Sequence, residues 1–94
     1  MYTRVVRFSG VSSERMDGLV ARIKDAGGPP PGVTSTGISV LFDEANGVAV
    51  VLQHFATAAD MDESAKVFAA MDPSDTPGAR VSVDACEVKL ELEA

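Results

Sequence analysis

At 94 residues, 46% hydrophobic and 23% charged, the chain reads as one soluble globular domain over 1–94, small enough that oligomerisation would be a common supplement to its core. A net charge of −6 with eight scattered basic residues argues against nucleic acid and anionic membrane surfaces as partners. The single cysteine, Cys86, excludes an intrachain disulfide, and neither a leader-like segment at "MYTRVVRF" nor a membrane-length apolar run is visible, so a cytoplasmic protein is the expectation.

Residues 2–8, "YTRVVRF", are rich in β-formers and predict a strand. After the turn "SGVSS", Ser12 or Ser13 can cap a helix whose stripe is Met16, Leu19, Val20, Ile23 and Ala26. Gly27-Gly28 ends it and three prolines forbid continuation. The Pro-stiffened segment "GGPPPGVTSTG" must cross back over the sheet. "GISVLFD" (37–43) and "VAVVLQHF" (48–55) read as strands joined by a hairpin turn ending in Asn46-Gly47. Thr57 predicts the cap of a second helix, with Asp60 three residues on and an inner stripe of Met61, Ala65, Phe68 and Met71. A loop "DPSDTPGA" leads to a last strand over 80–92. The order β-α-β-β-α-β is the split βαβ, ferredoxin-like plan of the α+β class, with a four-stranded antiparallel sheet and both helices on one face.

The hairpin sorts the strand faces. A two-residue Asn46-Gly47 turn sets Phe42 opposite Val51, Val40 opposite Gln53 and Ile38 opposite Phe55; a longer turn shifts the register by two and keeps the faces. One face carries Ile38, Val40, Phe42, Ala49, Val51, Gln53 and Phe55, and is expected under the helices. The other carries Ser39, Leu41, Val48, Val50, Leu52 and His54. Leu41, Val50 and Leu52 left in water would each forgo roughly 1.5–3 kcal/mol of burial free energy. Such a patch marks an interface, and a second copy of the same sheet in a twofold dimer is the simplest cover.

The single-domain β-α-β-β-α-β plan, the two-faced apolar sheet and "VLQHFATAADMDES" running from strand into helix resemble the antibiotic-biosynthesis-monooxygenase-like, dimeric α/β-barrel superfamily. The resemblance implies a homodimer with sheets packed face to face, and a pocket in each subunit between sheet and helices. It implies an activity such as cofactor-independent oxygenation or isomerisation of a small aromatic or polyketide-like molecule. Relatives often read Trp-Glu-Ser where the third strand meets the second helix; Phe55-Ala56-Thr57 stands there in this chain, so Phe55 takes the Trp position and the carboxylate is gone. The haem-degrading branch uses an Asn on its first strand, a Trp on its third and a His on its second helix, and none of these is present.

Two residues are candidates for catalysis. His54, the only histidine, suits acid–base work near neutral pH, but its face assignment turns it toward the dimer partner, where a hydrogen-bonded structural histidine is the competing reading. Arg4 and Arg7 fall on opposite faces of the first strand, so one lies on a covered face. Either could bind an anionic or enolate oxygen, Arg7 being the catalytic candidate carried forward; a salt bridge to Glu87 or another acid is the alternative. Val40, Gln53, Phe55, Met61 and Phe68 are the candidate lining of an apolar ligand pocket, or else plain core. Leu41, Val50, Leu52 and His54 are the candidate dimer interface. Cys86 reads as a small buried hydrophobe. "DMDES" lacks the glycine of a calcium loop, so no metal is expected, and no organic cofactor is implied. The remaining alternative is a non-catalytic homodimeric domain that binds a small ligand or only assembles.

Overall fold

The structure is a computed structural model that describes residues 1–70 and 76–93. The elements are β1 (Tyr2–Ser9), α1 (Ser13–Ala26), β2 (Gly37–Asp43), β3 (Val48–Phe55), α2 (Ala58–Ala69) and β4 (Ala79–Glu87). The four strands form one antiparallel sheet in the order β2-β3-β1-β4. This is the ferredoxin-like α+β layout that the element order predicts.

Local chemistry sets the boundaries. The Ser12 hydroxyl accepts from the Arg15 amide at 3.2 Å and starts α1; Gly27, at φ 68°, closes it in the left-handed conformation that glycine tolerates best. Thr57 caps α2 by accepting from the Asp60 amide at 3.1 Å. The β2–β3 hairpin turns through four residues, 44–47, rather than two. The Asp43 carboxylate accepts from both the backbone and the side chain of Asn46, and Gly47 supplies the positive φ. The register is therefore Ile38 to Gln53, Val40 to Val51 and Phe42 to Ala49, shifted by two from the tight-turn pairing, with every residue kept on its expected face.

Two elements depart from expectation. β4 ends at Glu87 instead of residue 92. Its last tie to the sheet is the Val88 amide donating to the Met1 carbonyl at 2.9 Å. Leu90 and Leu92, which follow it, are exposed. On α2, Ala65 faces solvent and Ser64 takes the inward place, fully buried, its hydroxyl donating to the Asp60 carbonyl at 2.8 Å. That bond satisfies a polar group the stripe rule would not put inside. Met71, the last expected stripe residue, and 72–75 of the following loop lie outside the described residues.

The helix-facing side of the sheet carries two apolar clusters rather than one core. The first joins Val6, Phe8, Val11, Met16, Ala49 and Val51, with Leu19, Val20, Val40 and Phe42 packed against it. The second joins Val33, Phe55 and Met61, with Tyr2, Val67 and Phe68 against it.

Candidate ligand-binding cleft

What separates the two clusters is a polar pair. Down β1 the helix-facing residues run Tyr2, Arg4, Val6, Phe8, and down β3 they run Ala49, Val51, Gln53, Phe55. Arg4 and Gln53 are direct cross-strand partners, so the apolar face is interrupted on both central strands at the same level. The Arg4 Nη1 donates to Gln53 Oε1 at 3.1 Å. The guanidinium also stacks over the Phe68 ring, 4.7 Å from its centroid, a favourable cation–π placement.

Above this pair α1 does not close onto the sheet. Met16 in its first half is buried, but Ile23 is only half-buried and Ala26 is exposed. The result is an open-mouthed cleft of about 1260 Å³. Its floor is Arg4, Val6, Val51 and Gln53; its helical walls are Leu19 and Ile23 of α1 and Phe68 of α2. The proline segment, from Gly28 to Val33, forms a third wall, and residues 76–80 form a fourth. The apolar walls and few polar groups are the usual character of a small-molecule site.

Among the described lining residues, the charged side chains are of one sign. Its described lining contains Arg4, Arg22 and Arg80 and no Asp, Glu, His or Cys. Arg80 arrives through a bulge. The β1–β4 register shifts between Arg7 and Phe8, so Arg80 rather than Val81 stands opposite Phe8 and on the cleft side. Arg4 is only 7% exposed, and its Nε is buried with no hydrogen-bond partner among the described residues. Burial, and secondarily the charge of Arg80, hold the Arg4 guanidinium below its ordinary pKa. The expected salt bridge to a neighbouring acid is not made among the described residues: across β4 Arg4 meets Ala85, and Glu87 pairs with Lys89 at 3.0 Å.

The candidate residues divide accordingly. Gln53 and Phe68 line the cleft. Val40 packs on the first cluster, while Phe55 and Met61 are enclosed in the second and do not reach the cleft. Arg7 and His54 lie on the opposite face of the sheet. Arg7 is exposed there, opposite Val50 and Ser82. His54 is half-buried, its Nδ1 3.2 Å from the hydroxyl of its cross-strand partner Thr3. Beside them on this face stand Leu41, 51% exposed, and the half-buried Val5, Val48, Val50 and Leu52. Cys86 is exposed rather than buried, because it stands on an edge strand, paired with Thr3, and so lies on the sheet face away from the helices.

Arg4 and Arg80 are the residues that reading from sequence under-used. Period-2 alternation with Val6 and Phe8 marks Arg4 as inward. Nothing local marks Arg80, whose side depends on the bulge. No helix among the described residues is long and apolar enough to cross a membrane. No family model, no curated protein and no solved structure matches the chain.

Proposed function

We propose that the protein binds a small apolar or aromatic molecule in the cleft between sheet and helices, and does so as a homodimer joined through the outer face of its sheet. The observation that carries the binding reading is the cleft itself: about 1260 Å³ with apolar walls, where an ordinary core would have joined its two clusters. The dimer reading is supported by the contiguous aliphatic surface around Leu41, Val50 and Leu52, the kind of patch that monomers rarely leave in water.

A catalytic role, oxygenation or isomerisation of an aromatic or polyketide-like substrate, draws support from the same place, because a buried guanidinium can stabilise an enolate oxygen. Such chemistry also needs a proton acceptor. The described lining has none of the usual side chains for it, which makes binding the stronger reading.

The test is a titration with N-phenyl-1-naphthylamine, a neutral dye that fluoresces in apolar sites. Saturable binding at one dye per chain is expected. Ile38→Trp, at a 43% exposed position on the cleft wall, should weaken it at least about tenfold by filling the space. Absence of binding, or binding indifferent to Ile38→Trp, would sink the proposal.

A further inference from the structure

Resting on that reading, the geometry points to an organic monoanion as the ligand: an aromatic or aliphatic body on the cleft walls, with its acidic head against the part of the Arg4 guanidinium that Gln53 and Phe68 leave open, and within the field of Arg80. Arg4 is the strongest reason. A buried arginine without a carboxylate is costly, and a buried N–H without an acceptor adds to that cost. Arg4 has both features: it is 7% exposed, and its Nε has no partner among the described residues. Gln53 occupies Nη1 and Phe68 covers one flat side of the group, so the side chain is already oriented. Nε itself is closed off from solvent, so an acidic oxygen meets the group at Nη2, the remaining nitrogen, through a charge-assisted hydrogen bond.

The rest of the site agrees. A chain of net charge −6 has placed both Arg4 and Arg80 in one apolar cleft whose described lining holds no acid. Arg80 pairs with no carboxylate among the described residues and reaches the cleft only because β4 carries its bulge. A purely structural role for Arg4 would be served better by an acid partner, or by an apolar residue that let the two clusters merge. An anion supplies a counter-charge to the buried guanidinium and offsets the crowding of two like charges, while the apolar walls take the body of the ligand.

Two dyes with the same aromatic body separate this idea from the reading beneath it. 8-Anilino-1-naphthalenesulfonate carries one anionic group and N-phenyl-1-naphthylamine carries none. The native chain should bind the anionic dye about tenfold more tightly, the worth of one charge-assisted hydrogen bond. Arg4→Met should erase that preference while neutral-dye binding persists, and Arg80→Gln, at an exposed position, should reduce it. Circular dichroism establishes that each variant is folded; if Arg4→Met is not, Arg4→Met with Gln53→Leu removes the orphaned amide, and Arg80→Gln still reports. Equal affinity of the native chain for both dyes would overturn the inference and leave the cleft reading standing. So would a preference that survives the loss of Arg4. Failure of both dyes to bind would overturn the two together.

Discussion

The Phe55 ring has no exposed surface and packs with Val33 and Met61, while Phe68, thirteen residues later, shows a face to the cleft. The two aromatics look alike in sequence and do different work. Phe55→Ala should cost about 3–5 kcal/mol in chemical denaturation, as expected for removing an enclosed ring. A cost below about 1 kcal/mol would mean that Phe55 lines open space instead. At this same scale the Thr3–His54 contact explains why the one histidine is a poor candidate for catalysis in the cleft: it is engaged on the other side of the sheet. Alternation along β3 makes that side legible, whereas the partner Thr3 depends on strand pairing that no local pattern encodes.

Among the elements, α1 is the one whose fit matters most. Its cap and its closing glycine are readable from Ser12 and Gly27, because capping is a matter of a few adjacent residues. Its tilt is not, because tilt is fixed by what the stripe meets. Met16 finds Val6 and Phe8, but Ile23 finds the cleft. Gly18, in the middle of this helix, has open space where a Cβ would go. Gly18→Ala should therefore raise the free energy of unfolding by about 0.5–1 kcal/mol without altering the cleft. A destabilised variant would show that α1 makes a close contact at that position. α2 teaches a related lesson: an inward serine beat the alanine stripe because its hydroxyl could bond within the helix.

For the molecule as a whole, the sheet has one face closed by helices and one face open. Leu41, at 51% exposure, is the most accessible of the aliphatic residues grouped on the open side. Arg7 and Asp84 share that side, and no ion pair joins them within the chain among the described residues. In a twofold dimer each could meet the other's copy. Sedimentation equilibrium should give twice the monomer mass of 9.8 kDa, and Leu41→Lys should reduce it to the monomer while the circular dichroism spectrum is kept. A native chain that stays monomeric at micromolar concentration and above would remove the dimer from the proposal.

Element order, the faces of the hairpin strands, the caps that start both helices and the glycine that closes α1 were determined by the sequence itself. They rest on short-range physics: alternation with period 2, helical stripes, caps, and the turn chemistry of Asp43, Asn46 and Gly47. Tertiary structure alone decided where the core splits. The opposition of Arg4 to Gln53 follows from the register of two strands that lie some fifty residues apart. The entry of Arg80 follows from a bulge in a third strand, and the open volume above them from the lie of α1. Each of these joins distant parts of the chain, and a cleft is a property of the space between such parts rather than of any one of them.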